Sequence, residues 1–255
     1  MNRNGTETVR YEQILSGLRR LGDREGDVIL AHSSLSSFGY VEGGADTVIR
    51  ALLDAVGPAG TVVVPTLSFG SVDESDPYFS VNDTPSDTGR ITEEFRKRPE
   101  ARRSRHPLSS AAAIGKDAER IAGGRQMTPC GEDSPYARVY QADGRVVFLG
   151  AGFKSNTLFH VAEEIVHPPY MRYKKLENVR IRTASGQIEI DTFYRYDCYQ
   201  TGIIRRLERL EDIYREKGLI RETQIGACRA MLIPAKANVD VACDVLKHRV
   251  DFILE

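Results

Sequence analysis

The chain has 255 residues, 41% of them hydrophobic, with 35 basic and 36 acidic side chains and a net charge of −1. This length accommodates one large domain or two small ones around a substantial core. The balanced charge provides no global field for nucleic acid or for an anionic membrane.

The start, Met1-Asn2-Arg3-Asn4-Gly5-Thr6-Glu7, lacks the apolar centre of a signal peptide, and no later apolar run approaches a membrane span. Thr8 to Leu21 reads as an amphipathic helix, with Tyr11, Ile14, Leu15, Leu18 and Leu21 at helical spacing. Asp27-Val28-Ile29-Leu30-Ala31 is a short buried strand that ends in His32-Ser33-Ser34. After Gly43-Gly44 a helix carries Thr47, Val48, Ala51, Leu52 and Ala55 and stops at Gly57-Pro58. Thr61-Val62-Val63-Val64 is a second buried strand, closed by Pro65-Thr66. Strand, helix and strand in this order form a βαβ unit, which places the two strands parallel with a right-handed crossover.

Residues 67 to 88 are rich in Ser, Asp, Pro and Gly and show no period, so a long surface loop is expected there, placed to cover a site. Ile91 to Arg98 is a short helix, Ser109 to Ile114 a strand and Asp117 to Ala122 a helix. Pro135 to Ala142 starts another helix, with Ser134 as cap and Pro135 at the first helical position. The apolar run Val146-Val147-Phe148-Leu149 is a buried strand, and Gly150 and Gly152 open a turn behind it. Asn156 or Thr157 is placed to cap the next helix.

Further on, 179–183 and 187–191 alternate about Ala184-Ser185-Gly186 and read as a hairpin. Ile203 to Lys217 is a charged helix whose run Arg205-Arg206-Leu207-Glu208-Arg209 reads as a solvated face. Cys228 to Ile233 is a last strand, and Val239 to Leu254 a closing helix capped by Asn238. The pattern predicts an α/β fold, one domain over 1–255. Its central sheet is mixed but largely parallel and flanked by helices, with a β-hairpin and helical C-terminal extension about 175–220. Cys130, Cys198, Cys228 and Cys243 are too widely spaced for a zinc ribbon or a disulfide framework and imply reduced thiols in a cytoplasmic protein.

His32-Ser33-Ser34, Pro65-Thr66 and the stretch from Gly150 to His160 all lie just after strands, where ligands bind in parallel sheets. Three candidate chemistries follow from the residues. First, His160 and Glu163 stand at i, i+3 on one helix face, a base and the carboxylate that could orient it; Glu164 competes for the second role. Second, His32-Ser33-Ser34 is either a plain structural turn or a cradle whose N–H groups and hydroxyls hold an anion; the sharp Gly-x-Ser-x-Gly elbow is absent. Arg103-Ser104-Arg105-His106-Pro107 reads as a solvated basic loop, with phosphate binding as its alternative. Third, His160, Glu164 and His167 share a face and could hold zinc or iron, although neither zinc-protease spacing is met and Pro168-Pro169 follows His167.

The run Gly150-x-Gly152-x-x-Ser155-Asn156-Thr157-x-x-His160-x-x-Glu163 resembles the signature of the aminoglycoside N3-acetyltransferase family. Other segments agree in order: His32-Ser33-Ser34-Leu35, Gly39, Gly43-Gly44, Gly57-Pro58-Ala59-Gly60-Thr61, Pro65-Thr66, Arg103 to Pro107, Ser109, Ser134-Pro135 and Ile225-Gly226-Ala227. The resemblance implies acetyl transfer from acetyl-CoA to an amine, direct and in a ternary complex, with no metal and no covalent acyl-enzyme. His160 would be the general base and Glu163 its orienting partner, with Thr66 or Thr157 near the oxyanion. It further implies that His32, Ser33, Ser34 and Leu35 hold the coenzyme phosphates, and that Arg103, His106 and Ser109 line the coenzyme or the transfer site. The implied partner is a small amine acceptor, neither nucleic acid nor membrane, and a homodimer is left open.

One departure bears on the acceptor. Much of the family has an acidic or aromatic residue before Ser-Asn-Thr, and this chain has Lys154, which would repel a polycation. The acidic candidates for an aminoglycoside are Asp73, Glu74, Asp76, Glu164, Asp191 and Asp197. Another amine-bearing antibiotic or natural product is the alternative acceptor. A metal-dependent hydrolase and an inactive coenzyme A-binding module are the rival functions.

Overall fold

The structure, a computed structural model, describes residues 8–197 and 202–255. Its first part comprises β1 (Thr8–Val9), α1 (Tyr11–Leu21), β2 (Val28–Ser33), β3 (Tyr40–Val41), α2 (Gly44–Val56), β4 (Thr61–Pro65), β5 (Tyr78–Ser80) and α3 (Arg90–Arg96). There follow β6 (Arg102–Arg103), β7 (Ala111–Gly115), α4 (Ala118–Ala122), α5 (Pro135–Gln141), β8 (Arg145–Leu149) and α6 (Phe159–Val166). The last part holds β9 (Tyr173–Arg182), β10 (Ile188–Tyr196), α7 (Leu210–Glu216), β11 (Arg221–Ile225), β12 (Cys228–Pro234) and α8 (Ala235–His248).

Seven strands form the main sheet in the order β11-β12-β8-β2-β4-β7-β6. β2 pairs in parallel with β4 and with β8, while the outer pairings are antiparallel. The parallel centre is apolar on both faces because helices cover both. On one face Leu30, Val63, Phe148 and Met231 pack against Tyr136, Phe159 and Val239 of α5, α6 and α8. On the other, Ile29, Val62, Val147 and Leu149 meet Leu18, Val48, Leu52 and Phe95 of α1, α2 and α3. The alternation of these positions along each strand follows the period-2 pleat.

The expected loop over 67–88 contains a strand. β5 pairs in parallel with β9, Tyr78 against Arg180, and completes a three-stranded sheet β10-β9-β5. Phe79, Val179, Ile181 and Phe193 give that sheet its own small core. A three-residue strand within a Ser- and Asp-rich stretch leaves no period to read.

Helix boundaries also differ: Thr8–Val9, expected at the head of the first helix, is the strand β1, and the closing helix ends at His248 with a 3-10 turn at Val250–Ile253 behind it. α6 begins at Phe159 with no side-chain cap; the Asn156 side chain turns to Asn238 instead, its Oδ1 accepting from Asn238 Nδ2 at 3.4 Å and its Nδ2 donating to Asn238 Oδ1 at 3.0 Å. Asn238 is correspondingly buried inside α8, which starts at Ala235 rather than after it. The charged helix expected from Ile203 starts as a 3-10 turn at Leu207–Arg209, because Arg205 pairs as an extended bridge with Leu254. Ser134 does cap α5, its Oγ accepting from the Ala137 N–H at 3.1 Å with Pro135 following. Cys130, Cys228 and Cys243 are unbridged, and Cys198 lies outside the described residues.

Candidate active site

β2, β4 and β8 run in one direction, so their carboxyl ends reach one edge of the sheet, with His32 beside Phe148 and Ser33 beside Leu149. The chain leaves β8 through Gly150 at φ +67°, where a Cβ would run into Ser37 Oγ, so this sharp exit excludes any side chain. The turn carries 153–157 over the edge and delivers α6 to it. A cleft of about 1080 Å³ opens there, lined among others by Ser33, Leu35, Ser109, Lys154, Thr157 and His160.

His160 Nδ1 lies 2.6 Å from Glu163 Oε2. Glu163 is fully buried, and its other oxygen accepts from Tyr170 Oη at 2.6 Å. Arg205 Nη1 donates to both oxygens, at 3.0 and 2.9 Å. Burial would push the Glu163 carboxyl up, but His160, Arg205 and Tyr170 together outweigh it and hold the group at about 2. An ionised Glu163 accepts a hydrogen bond from Nδ1–H and thereby selects the tautomer with its lone pair on Nε2. The imidazole is 22% exposed at its side chain, on the wall of the cleft.

A second carboxylate braces the same wall. Glu164 accepts from Tyr173 Oη at 2.5 Å, Tyr196 Oη at 2.9 Å and the Cys130 N–H at 3.1 Å. Tyr196 in turn lies tilted against the His160 ring, with centroids 5.5 Å apart. Deeper in, His32 stacks on Phe148 and places Nε2 3.4 Å from Thr157 Oγ1. Burial drives the His32 ring down to about 3, so it is neutral at any working pH. Ser33 Oγ is buried without a hydrogen-bond partner among the described residues.

The cleft therefore gathers His32, Ser33, Ser34, Leu35, Ser109, Glu74, Lys154, Thr157 and His160, with Glu163 and Glu164 directly behind its wall. Other expected site residues lie elsewhere. Thr66 is fully buried, its hydroxyl is engaged by Ser110 Oγ at 2.9 Å and by Arg103, and it does not line the cleft. Arg103 is a buried strut that donates to Thr66 O, Ser110 Oγ and Thr84 O and lies over the Phe79 ring. His106 is fully buried; Nε2 meets Tyr194 O, and Nδ1 accepts from the Leu108 and Ser109 N–H groups. Neither Arg103 nor His106 lines the cleft, and the polar atoms of both heads are bonded within the protein near the junction of the two sheets. Asp73 folds back on Ser75, and Asp197 neighbours Arg195, both off the cleft. Asp76 and Asp191 are tied to surface Arg180 and Arg125.

Arg205, Tyr170, Tyr173 and Tyr196 are site residues that the sequence does not disclose. Tyr170 and Tyr173 follow α6 closely, and an aromatic run after Pro168-Pro169 is the one available hint. Nothing marks Arg205 among its charged neighbours. Among the described residues no group of three or more His, Cys, Asp and Glu could hold a metal ion. His167 ends α6 in the left-handed region, its ring turned toward Tyr173.

A histidine whose inner nitrogen is held by a buried carboxylate, at a wide cleft over the carboxyl ends of parallel strands, marks this edge of an α/β sheet as the candidate active site of an enzyme. The sequence profile described as aminoglycoside 3-N-acetyltransferase matches residues 30–247, and the chain belongs to that family of acyltransferases. Aminoglycoside N(3)-acetyltransferase VII of Streptomyces paromomycinus is 33% identical over 261 residues, covering 91% of this chain and 89% of that one. The prophage-derived aminoglycoside N(3')-acetyltransferase-like protein YokD of Bacillus subtilis is 38% identical over 182 residues, covering 63% of this chain and 66% of its own. Among solved structures, a histidine-to-alanine mutant of aminoglycoside acetyltransferase AAC(3)-IVa in complex with a gentamicin superposes with a TM-score of 0.83 at 30% identity, over 97% of this chain and 92% of that one. AAC-IIIb binary with CoASH superposes with a TM-score of 0.82 at 28% identity, over 95% and 98%. Among the described residues no helix is long and apolar enough to cross a membrane.

Proposed function

We propose that the chain transfers acetyl directly from acetyl-CoA to an amine of an aminoglycoside-type acceptor, with His160 as general base. The observation that carries this reading is the 2.6 Å contact of His160 Nδ1 with an ionised, buried Glu163 on a ring that lines the cleft. Nε2 takes the proton that the amine must lose as its nitrogen attacks the thioester carbonyl. Glu163 stabilises the imidazolium so formed. The proton can then pass from Nε2 to the departing thiolate as the tetrahedral centre collapses, which leaves the histidine neutral for the next cycle. Thr157, whose hydroxyl faces a permanently neutral His32, is the side chain best placed to meet the developing oxyanion.

The residues at the end of β2 suit the coenzyme. Ser33 Oγ, buried and without a partner among the described residues, is a donor in need of an acceptor, and Ser34 and Leu35 line the same wall. About 1080 Å³ exceeds the usual range for one drug-sized ligand and leaves room for a coenzyme arm and an acceptor together. The relatives that bind coenzyme A and gentamicin support the same pairing of substrates. The acceptor is an aminoglycoside in this reading; another amine-bearing antibiotic is the second, favoured by Lys154 in the cleft. Free thiol measured with acetyl-CoA and an amine panel tests the proposal, and the absence of acceptor-dependent thiol release would remove it.

A further inference from the structure

The ionisable groups around the cleft are unevenly committed. Among the described residues, four cations line it, Arg90, Lys154, Arg195 and Arg205, against two carboxylates, Glu74 and Asp87. The two carboxylates are held differently. Glu74 meets Lys174 at 3.0 Å and Arg195 at 2.9 Å. Asp87 accepts from the Gly70 N–H at 2.7 Å and from Ser71 Oγ at 2.9 Å, which fixes the loop after β4. Behind the wall, Glu163 is neutralised by Arg205, and Glu164 is filled by two tyrosine hydroxyls and a backbone N–H.

The cations differ in the same respect. Arg90 meets Glu94 at 2.8 Å, Arg195 meets Glu74, and Arg205 meets Glu163. Lys154 has no carboxylate and no hydrogen-bond partner among the described residues, although it lines the cleft. It stands on the 3-10 turn Phe153–Ser155 that leads into the helix bearing His160. Among the described residues, Glu74 is the lining carboxylate paired with cations, Asp87 is held by neutral donors and keeps its charge, and Lys154 is the lining cation without an acidic partner.

We infer that Lys154 selects the acceptor, so that the site prefers an amine of low positive charge that carries a carboxylate or similar anion over a polycation. The inference rests on the acetyl-transfer reading and concerns only which amine is taken. Lys154 is exposed at the rim of the cleft, where like charges facing each other are a means of rejecting the wrong ligand and salt screens the effect. The coenzyme also carries anions, so the two uses of Lys154 must be separated by measurement.

The experiment compares the parent with Lys154→Gln and Lys154→Glu. The acceptors are kanamycin and kanamycin oxidised at its primary alcohol to the carboxylate; the KM for acetyl-CoA is followed in each variant. The parent should favour the carboxylate form by roughly fivefold or more in kcat/KM. Lys154→Glu should reverse that preference and raise kcat/KM for kanamycin by about tenfold, less at high salt, with Lys154→Gln between. An unchanged KM for acetyl-CoA supports the assignment. Equal use of both acceptors by the parent and by Lys154→Glu would overturn it, as would a rise confined to the acetyl-CoA KM, which assigns the lysine to the coenzyme. Thiol release from neither acceptor, in the parent or in the variants, would remove the transfer reading on these acceptors and this inference with it.

Discussion

Arg205 Nη1 grips both oxygens of Glu163, at 3.0 and 2.9 Å, across 42 residues of sequence. The pair is buried, with side chains 7% and 1% exposed. Removing one partner of such a pair strands the other charge, at a cost of about 3–5 kcal/mol. Arg205→Met should therefore lower stability to urea by that order, and the double variant with Glu163→Gln should be less destabilised than the two single changes summed. Additive losses would mean that the pair is not coupled. Because the Glu163 carboxyl sits at about 2, below its value in an unfolded chain, its stabilisation is present above that unfolded value and is lost as pH falls through about 2.

The base itself is tested by His160→Ala. General-base losses run to about a hundredfold or more in turnover. Coenzyme binding should survive, read as an undiminished rise in melting temperature at saturating acetyl-CoA. Near-parent turnover would sink the proposed mechanism. Glu163→Gln keeps the shape but weakens the hold on Nδ1, so it should lower kcat with little effect on KM for either substrate.

Tyr196 is a positioning residue in this scheme, since its hydroxyl is held by Glu164 and its ring flanks the imidazole. Tyr196→Phe keeps the ring and should leave kcat within about threefold, whereas Tyr196→Ala should cost at least about tenfold, because orientation at the base is lost. Glu164→Gln retains one acceptor oxygen and should resemble the phenylalanine variant. A Tyr196→Phe enzyme as weak as Tyr196→Ala would instead assign the hydroxyl to the chemistry.

The parallel centre of the sheet and the His160–Glu163 pair are legible in the sequence because each is local. Val146 to Leu149 and Thr61 to Val64 are continuous apolar runs, and i, i+3 spacing puts two side chains on one helix face whatever surrounds them. Arg205 reads as a solvated residue because its role depends on an extended bridge to Leu254 at the far end of the chain. Arg103 and His106 point to the coenzyme by resemblance alone, and an arginine facing phosphate looks the same in sequence as one facing Thr66 O and Thr84 O. β5 escapes because a strand of three residues takes its stability from Phe79 and its partner β9, not from its own pattern.

Asp23 yields a prediction away from the cleft. It follows α1, is 4% exposed, and neither carboxylate oxygen has a hydrogen-bond partner among the described residues. Burial, with the negative charge of Asp27 adding and Arg145 opposing, pushes its carboxyl up to about 7. The native chain thus keeps a proton that the unfolded chain releases near the ordinary value of 3.8. Stability from this group is full below that value and is lost as pH rises toward about 7, with no further change above. A separation of roughly three pH units corresponds to at most about 4 kcal/mol. Urea unfolding of the parent should therefore weaken between about pH 4 and about pH 7.5 by a few kcal/mol more than that of Asp23→Asn, whose amide does not titrate. The buried amide carries its own pH-independent cost, so the comparison is between slopes and not between stabilities at one pH. Parallel pH profiles for the two proteins would show that Asp23 is ionised in the folded chain.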